Sequence, residues 1–139
     1  MKKETFEKLM DKLDSGSLSY VEEHQVIDSN SDRIRRFQFD FWRRRFYLFT
    51  VNHDPLITDT RKGKIPASAA KKFLEAVSDC CDLPDTEYFD KNNTDKEPVW
   101  HRAEMFNKHF TWYTAEEPLF EKLEQAFRDL ISSLKFETL

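Results

Sequence analysis

Phe37, Phe39 and Phe41 alternate with Gln38 and Asp40. An apolar period of two residues is the mark of a half-buried β-strand, because successive side chains leave a strand on opposite faces. Residues 46–51 follow with apolar side chains at nearly every position, the pattern of a more buried strand. Together, residues 33–51 hold six arginines and seven aromatics, with Asp40 as the single acid. The segment therefore predicts two strands of a sheet joined at an arginine-dense corner formed by Arg43, Arg44 and Arg45.

Around that pair the chain reads as one domain over residues 1–139, long enough to bury a core without disulfides or metal staples. Phe6, Leu9, Met10 and Leu13 form one helical stripe, so a first helix is expected over 3–14. A weak strand is expected over 18–27 and a polar loop over 52–64. A second helix is expected over 66–81, with Pro66 in its first turn and Pro84 stopping it. The acidic stretch 82–97 lacks periodicity and reads as an exposed, mobile loop. A hairpin is expected from 99–106 and 110–113, turning at Asn107 and Lys108. Thr114 and Glu117 fit a capping box, and Phe120, Leu123, Phe127, Leu130, Ile131 and Leu134 make the stripe of a last helix. The expected fold is α+β, an antiparallel sheet of about five strands with three helices on one face, in the order α-β-β-β-α-β-β-α.

Composition excludes several chemistries. Two glycines leave no Gly-rich phosphate loop, and no Walker, dinucleotide, HExxH or GxSxG motif occurs. His24, His53, His101 and His109 have no metal-ligand spacing. His53 beside Asp54 lacks a partner nucleophile. No catalytic residue, metal or cofactor is assigned. Cys80 and Cys81 are adjacent, which opposes a mutual disulfide and suits a reducing compartment. The beginning of the sequence lacks a signal-peptide apolar run and no span reaches membrane length, so a cytoplasmic protein with no membrane partner is expected.

Function is then sought at a surface. Arg33, Arg35, Arg36, Trp42, Arg43, Arg44 and Arg45 are the candidate binding residues, since arginine and aromatic side chains concentrate at binding hot spots. The net charge of −4 and the acidic stretch favour recognition of a protein partner, acidic where it meets these arginines, over nucleic acid. The leading expectation is a small protein-binding module acting as an inhibitor, an immunity or antitoxin-like protein, or a secretion chaperone. The expected element order is similar to that of small acidic type III secretion chaperones, and this similarity implies a homodimer. A nucleic-acid-binding accessory protein using the same arginines stands second, and an enzyme with a site at His53, His101 or His109 stands third.

Overall fold

The alternating phenylalanines lie on the second strand of an antiparallel meander. Ser17–Gln25 (β1), Asp32–Asp40 (β2), Arg45–His53 (β3) and Leu56–Lys64 (β4) pair in succession in the computed structural model. It describes residues 8, 10, 11, 17–25, 32–53, 56–89, 99–113 and 117–137. After β4 come helix Ala67–Ala76 (α1), a 3-10 turn at Ser78–Asp82, Thr86–Phe89 (β5), Val99–Met105 (β6) and Lys108–Tyr113 (β7). Helix Pro118–Ser133 (α2) and the two-residue strand Lys135–Phe136 (β8) end the described chain. The strands form one sheet in the order β5-β7-β6-β1-β2-β3-β4-β8.

This architecture corrects the expected one. The sheet has eight strands rather than five, and among the described residues it carries two helices rather than three. It is mixed, because β5 runs parallel to β7. From residue 17 on, the described elements run β-β-β-β-α-β-β-β-α-β, so the similarity to secretion chaperones loses its basis. The expected loop at 52–64 is largely β4. All of its residues are exposed except Gly63, so it has no apolar alternation to read; its backbone is ordered by pairing with β3. The acidic stretch contains β5, while residues 90–98 lie outside the described ones. Most of the expected first helix also lies outside them, although Lys8, Met10 and Asp11 are helical and Met10 is buried.

Among the described residues the core lies on one face of the sheet. Phe37 and Phe39 of β2, Phe46 and Leu48 of β3, and Phe110 and Trp112 of β7 pack under Phe73 and Leu74 of α1 and Phe120, Leu123, Phe127 and Leu130 of α2. The alternate positions Tyr47 and Phe49 are exposed, which corrects the reading of 46–51 as buried on both faces. The α2 stripe is buried as its spacing required. Its cap is Glu117, whose carboxylate accepts the Phe120 N–H at 3.3 Å; Thr114 lies outside the described residues. Cys80 is buried without a disulfide.

The β6–β7 hairpin exists, with its turn one residue earlier than expected. Phe106 and Asn107 both have positive φ, 55° and 59°, the geometry of a tight hairpin turn that suits glycine at its second central position. Burial holds Phe106 there. Asn107→Gly should therefore raise unfolding free energy by about 0.5–1 kcal/mol, measured by denaturant melts.

Candidate functional site

Residues 41–44 join β2 to β3 as a rigid corner. Phe41 is buried and stacks on Phe73 at 5.7 Å. Asp40 accepts the Arg43 backbone N–H at 3.1 Å and pairs with its guanidinium at 3.2 Å. Arg44 has φ of 53°, and its carbonyl accepts the Ile65 N–H at 2.8 Å, tying the corner to the start of α1. Trp42 projects outward with 56% of its surface exposed. Arg43, Arg44, Arg45, Lys64 and Lys135, with Ile65 and Pro66, line a groove of about 490 Å³. Among the described residues, two nearby carboxylates oppose these five cations: Asp40 on Arg43, and Glu137 on Arg45 at 2.9 Å. Such a concavity attracts anions.

The other three candidate arginines are elsewhere. Arg35 lies toward the far end of β2, roughly 16 Å from Asp40 at about 3.3 Å per residue. It shares the helix-covered face with Phe37 and pairs with Glu22 at 2.8 Å. Arg33 follows the same parity. Arg36 is exposed on the opposite face, beside Val21 and Phe49. The seven expected residues thus form one corner of four and three dispersed positions, because β2 carries Arg33, Arg35 and Arg36 away from the corner along its length and alternation turns Arg36 to the other face.

At that far end is a polar cluster that sequence reading did not assemble. The Tyr20 hydroxyl lies 2.7 Å from His101 Nδ1, and His101 Nε2 lies 3.4 Å from Glu124 Oε1. Glu124 also accepts the Trp112 indole N–H at 2.7 Å. With Glu22, Arg35, Arg128, Ile131 and Ser132, Tyr20, His101 and Glu124 line a cavity of about 250 Å³ between α2 and the sheet. Burial, reinforced by Glu22 and Glu124, pushes the Tyr20 hydroxyl far above its ordinary range, so it stays protonated. Burial also lowers the His101 pKa; Glu124 and Glu22 oppose that fall, and Arg128 adds to it. A neutral imidazole can pass a proton between hydroxyl and carboxylate, but Tyr20 is 2% exposed and cannot serve as a nucleophile toward solvent.

His101 has a pH consequence. Its folded pKa lies below the ordinary 6.5, so below that pH the unfolded chain binds a proton that the folded chain resists. Stability should be full above pH 6.5 and fall as pH drops through it. The Tyr20 shift acts at the other extreme, where stability falls above pH 10 as the unfolded phenol ionises first. Melting temperatures across the pH range check both signs.

His109 does not join this cluster. His109 is exposed on the opposite face, 3.7 Å from Asp85 and 3.6 Å from Glu104. His101 and His109 do not face each other, since the hairpin pairs His101 with Trp112 and His109 with Glu104. The His53 side chain lies outside the described residues. Among the described residues no group of three His, Cys, Asp or Glu side chains is placed to hold a metal, and no helix is long and apolar enough to cross a membrane. No protein-family model matches the chain, and no curated protein matches it significantly.

Proposed function

We propose that this protein acts by binding another protein through the cationic corner between β2 and β3, and that it is a cytoplasmic binding module rather than an enzyme. The groove carries the reading: Arg43, Arg44, Arg45, Lys64 and Lys135 converge beside an outward-facing Trp42. Arginine forks pair carboxylates bidentately, and tryptophan adds area that can be desolvated. A mount braced by Phe41 and Asp40 lowers the ordering cost of binding. The matching partner surface is acidic. Against nucleic acid stands the interleaving of arginines with carboxylates, Arg35 with Glu22, Arg43 with Asp40 and Arg45 with Glu137. What nucleic-acid affinity exists should be weak and steeply salt-dependent.

The test is affinity capture from the native host with the wild-type chain and with Arg43→Glu/Arg44→Glu. Both substituted side chains are exposed, so the melt should shift little. Arg45 is left intact because it holds Glu137. Capture of an acidic partner should drop on the order of 100-fold, as for charge reversal at the centre of an interface. Equal capture by both proteins would remove this corner from consideration.

A further inference from the structure

The far rim of the groove already holds a strand. β8 lies antiparallel on the β4 edge with Gly63 opposite Phe136 and Lys64 opposite Lys135, and the Glu137 N–H donates to the Lys62 carbonyl at 2.9 Å. Gly63 makes the approach possible. A Cβ there would collide with the Lys135 carbonyl oxygen and come within 2.8 Å of the Phe46 ring. Phe136 stands edge-on to Phe46 at 5.1 Å, with the Arg61 guanidinium 4.7 Å from its ring centre. Glu137 reaches Arg45 at 2.9 Å and Lys62 at 3.9 Å. The edge therefore offers a backbone ladder, a seat for an aromatic ring and a two-cation seat for the next carboxylate.

The resident segment fits that site imperfectly. Lys135 sits directly across from Lys64, and like charges facing each other across a ladder repel. Phe136 is 41% exposed. Among the described residues this segment meets β4 only at Lys62, Gly63 and Lys64, three of its nine residues, and strand edges are templates for further pairing. An extended segment with an acid in place of Lys135 would keep both seats and exchange the repulsion for attraction.

We infer that residues 135–137 fill in cis a strand-acceptor site, and that the partner inserts an extended acidic–aromatic–acidic segment in their place, antiparallel to β4. This rests on the reading of the cationic corner as a protein-docking surface. Main-chain bonds supply affinity in such strand addition and the side-chain seats supply specificity. The cis segment acts as a competitor that lowers apparent affinity by the fraction of time the edge is open.

The probe is a fluorescent eight-residue peptide with a central Glu-Phe-Glu, titrated into the full chain by anisotropy beside a Lys-Phe-Lys control. Phe136→Ala/Glu137→Ala, which loosens the resident segment, should bind the acidic peptide about tenfold more tightly than wild type. Lys135→Glu, which relieves the repulsion in cis, should bind it more weakly than wild type, and the control peptide should not bind. Absence of acidic-peptide binding by both the wild type and Phe136→Ala/Glu137→Ala would overturn the inference. If host-partner capture still depended on Arg43 and Arg44, the corner would then stand without strand exchange. Independence of capture from those two arginines would instead remove the reading beneath it. A concentration-dependent dimer in light scattering, lost in Phe136→Ala/Glu137→Ala, would assign the edge to a second copy of this chain and overturn the partner assignment.

Discussion

Phe127→Ala should lower the unfolding free energy by about 3–5 kcal/mol. The ring is fully buried. It stacks on Tyr20 with centroids 4.1 Å apart and planes 8° from parallel, and meets Phe73 at 4.9 Å. One side chain thus joins α2 to β1 below it and to α1 beside it. Truncation removes apolar area and leaves a cavity between rigid neighbours, and both effects have the same sign. Against a typical domain stability of roughly 5–15 kcal/mol the loss is large, and the melting temperature should fall by on the order of 10 °C. Denaturant melts should show a lower midpoint at unchanged slope. A loss below about 1 kcal/mol would mean that α2 does not dock through this residue.

Glu124→Ala should cost about 1–3 kcal/mol, the penalty for leaving a buried donor without its acceptor. Trp112 is fully buried and its indole N–H donates to Glu124. The same carboxylate is the first force holding the His101 pKa up against desolvation. Its removal should push that pKa lower and widen the acid range over which the unfolded chain holds the extra proton. The variant should therefore lose more stability than wild type between neutral and acid pH. Two readouts separate the roles: the loss at neutral pH reports the orphaned indole, and the steeper acid dependence reports the histidine. An unchanged pH slope would show that Glu124 serves Trp112 alone.

The corner and the cluster differ in how far they could be read in advance. Trp42, Arg43, Arg44 and Arg45 are consecutive between two strand patterns, so proximity in sequence already meant proximity in space. Tyr20 and His101 are 81 residues apart, and no local pattern links them. They meet because β1 is a central strand pairing with both β2 and β6. His101 could be flagged as titratable, but its partners could not be named.

Local chain chemistry by itself determined the strand period of the phenylalanines, the bend of arginines after them and the buried stripe of α2. Each of these rests on a repeat of two or three to four residues that backbone geometry converts into a face. Tertiary structure alone decided the rest. β4 has exposed side chains throughout except at Gly63 and exists through hydrogen bonds to β3. The sheet became mixed because β5 returned parallel to β7. Arg35 and Arg43 parted company because one met Glu22 beneath the helices and the other stayed at a solvent-facing turn. Ladder bonds between distant segments carry no periodic trace in the sequence, since the backbone groups that make them are the same in every residue except proline, and an ion pair such as Arg35 with Glu22 is set by which strands the topology makes neighbours.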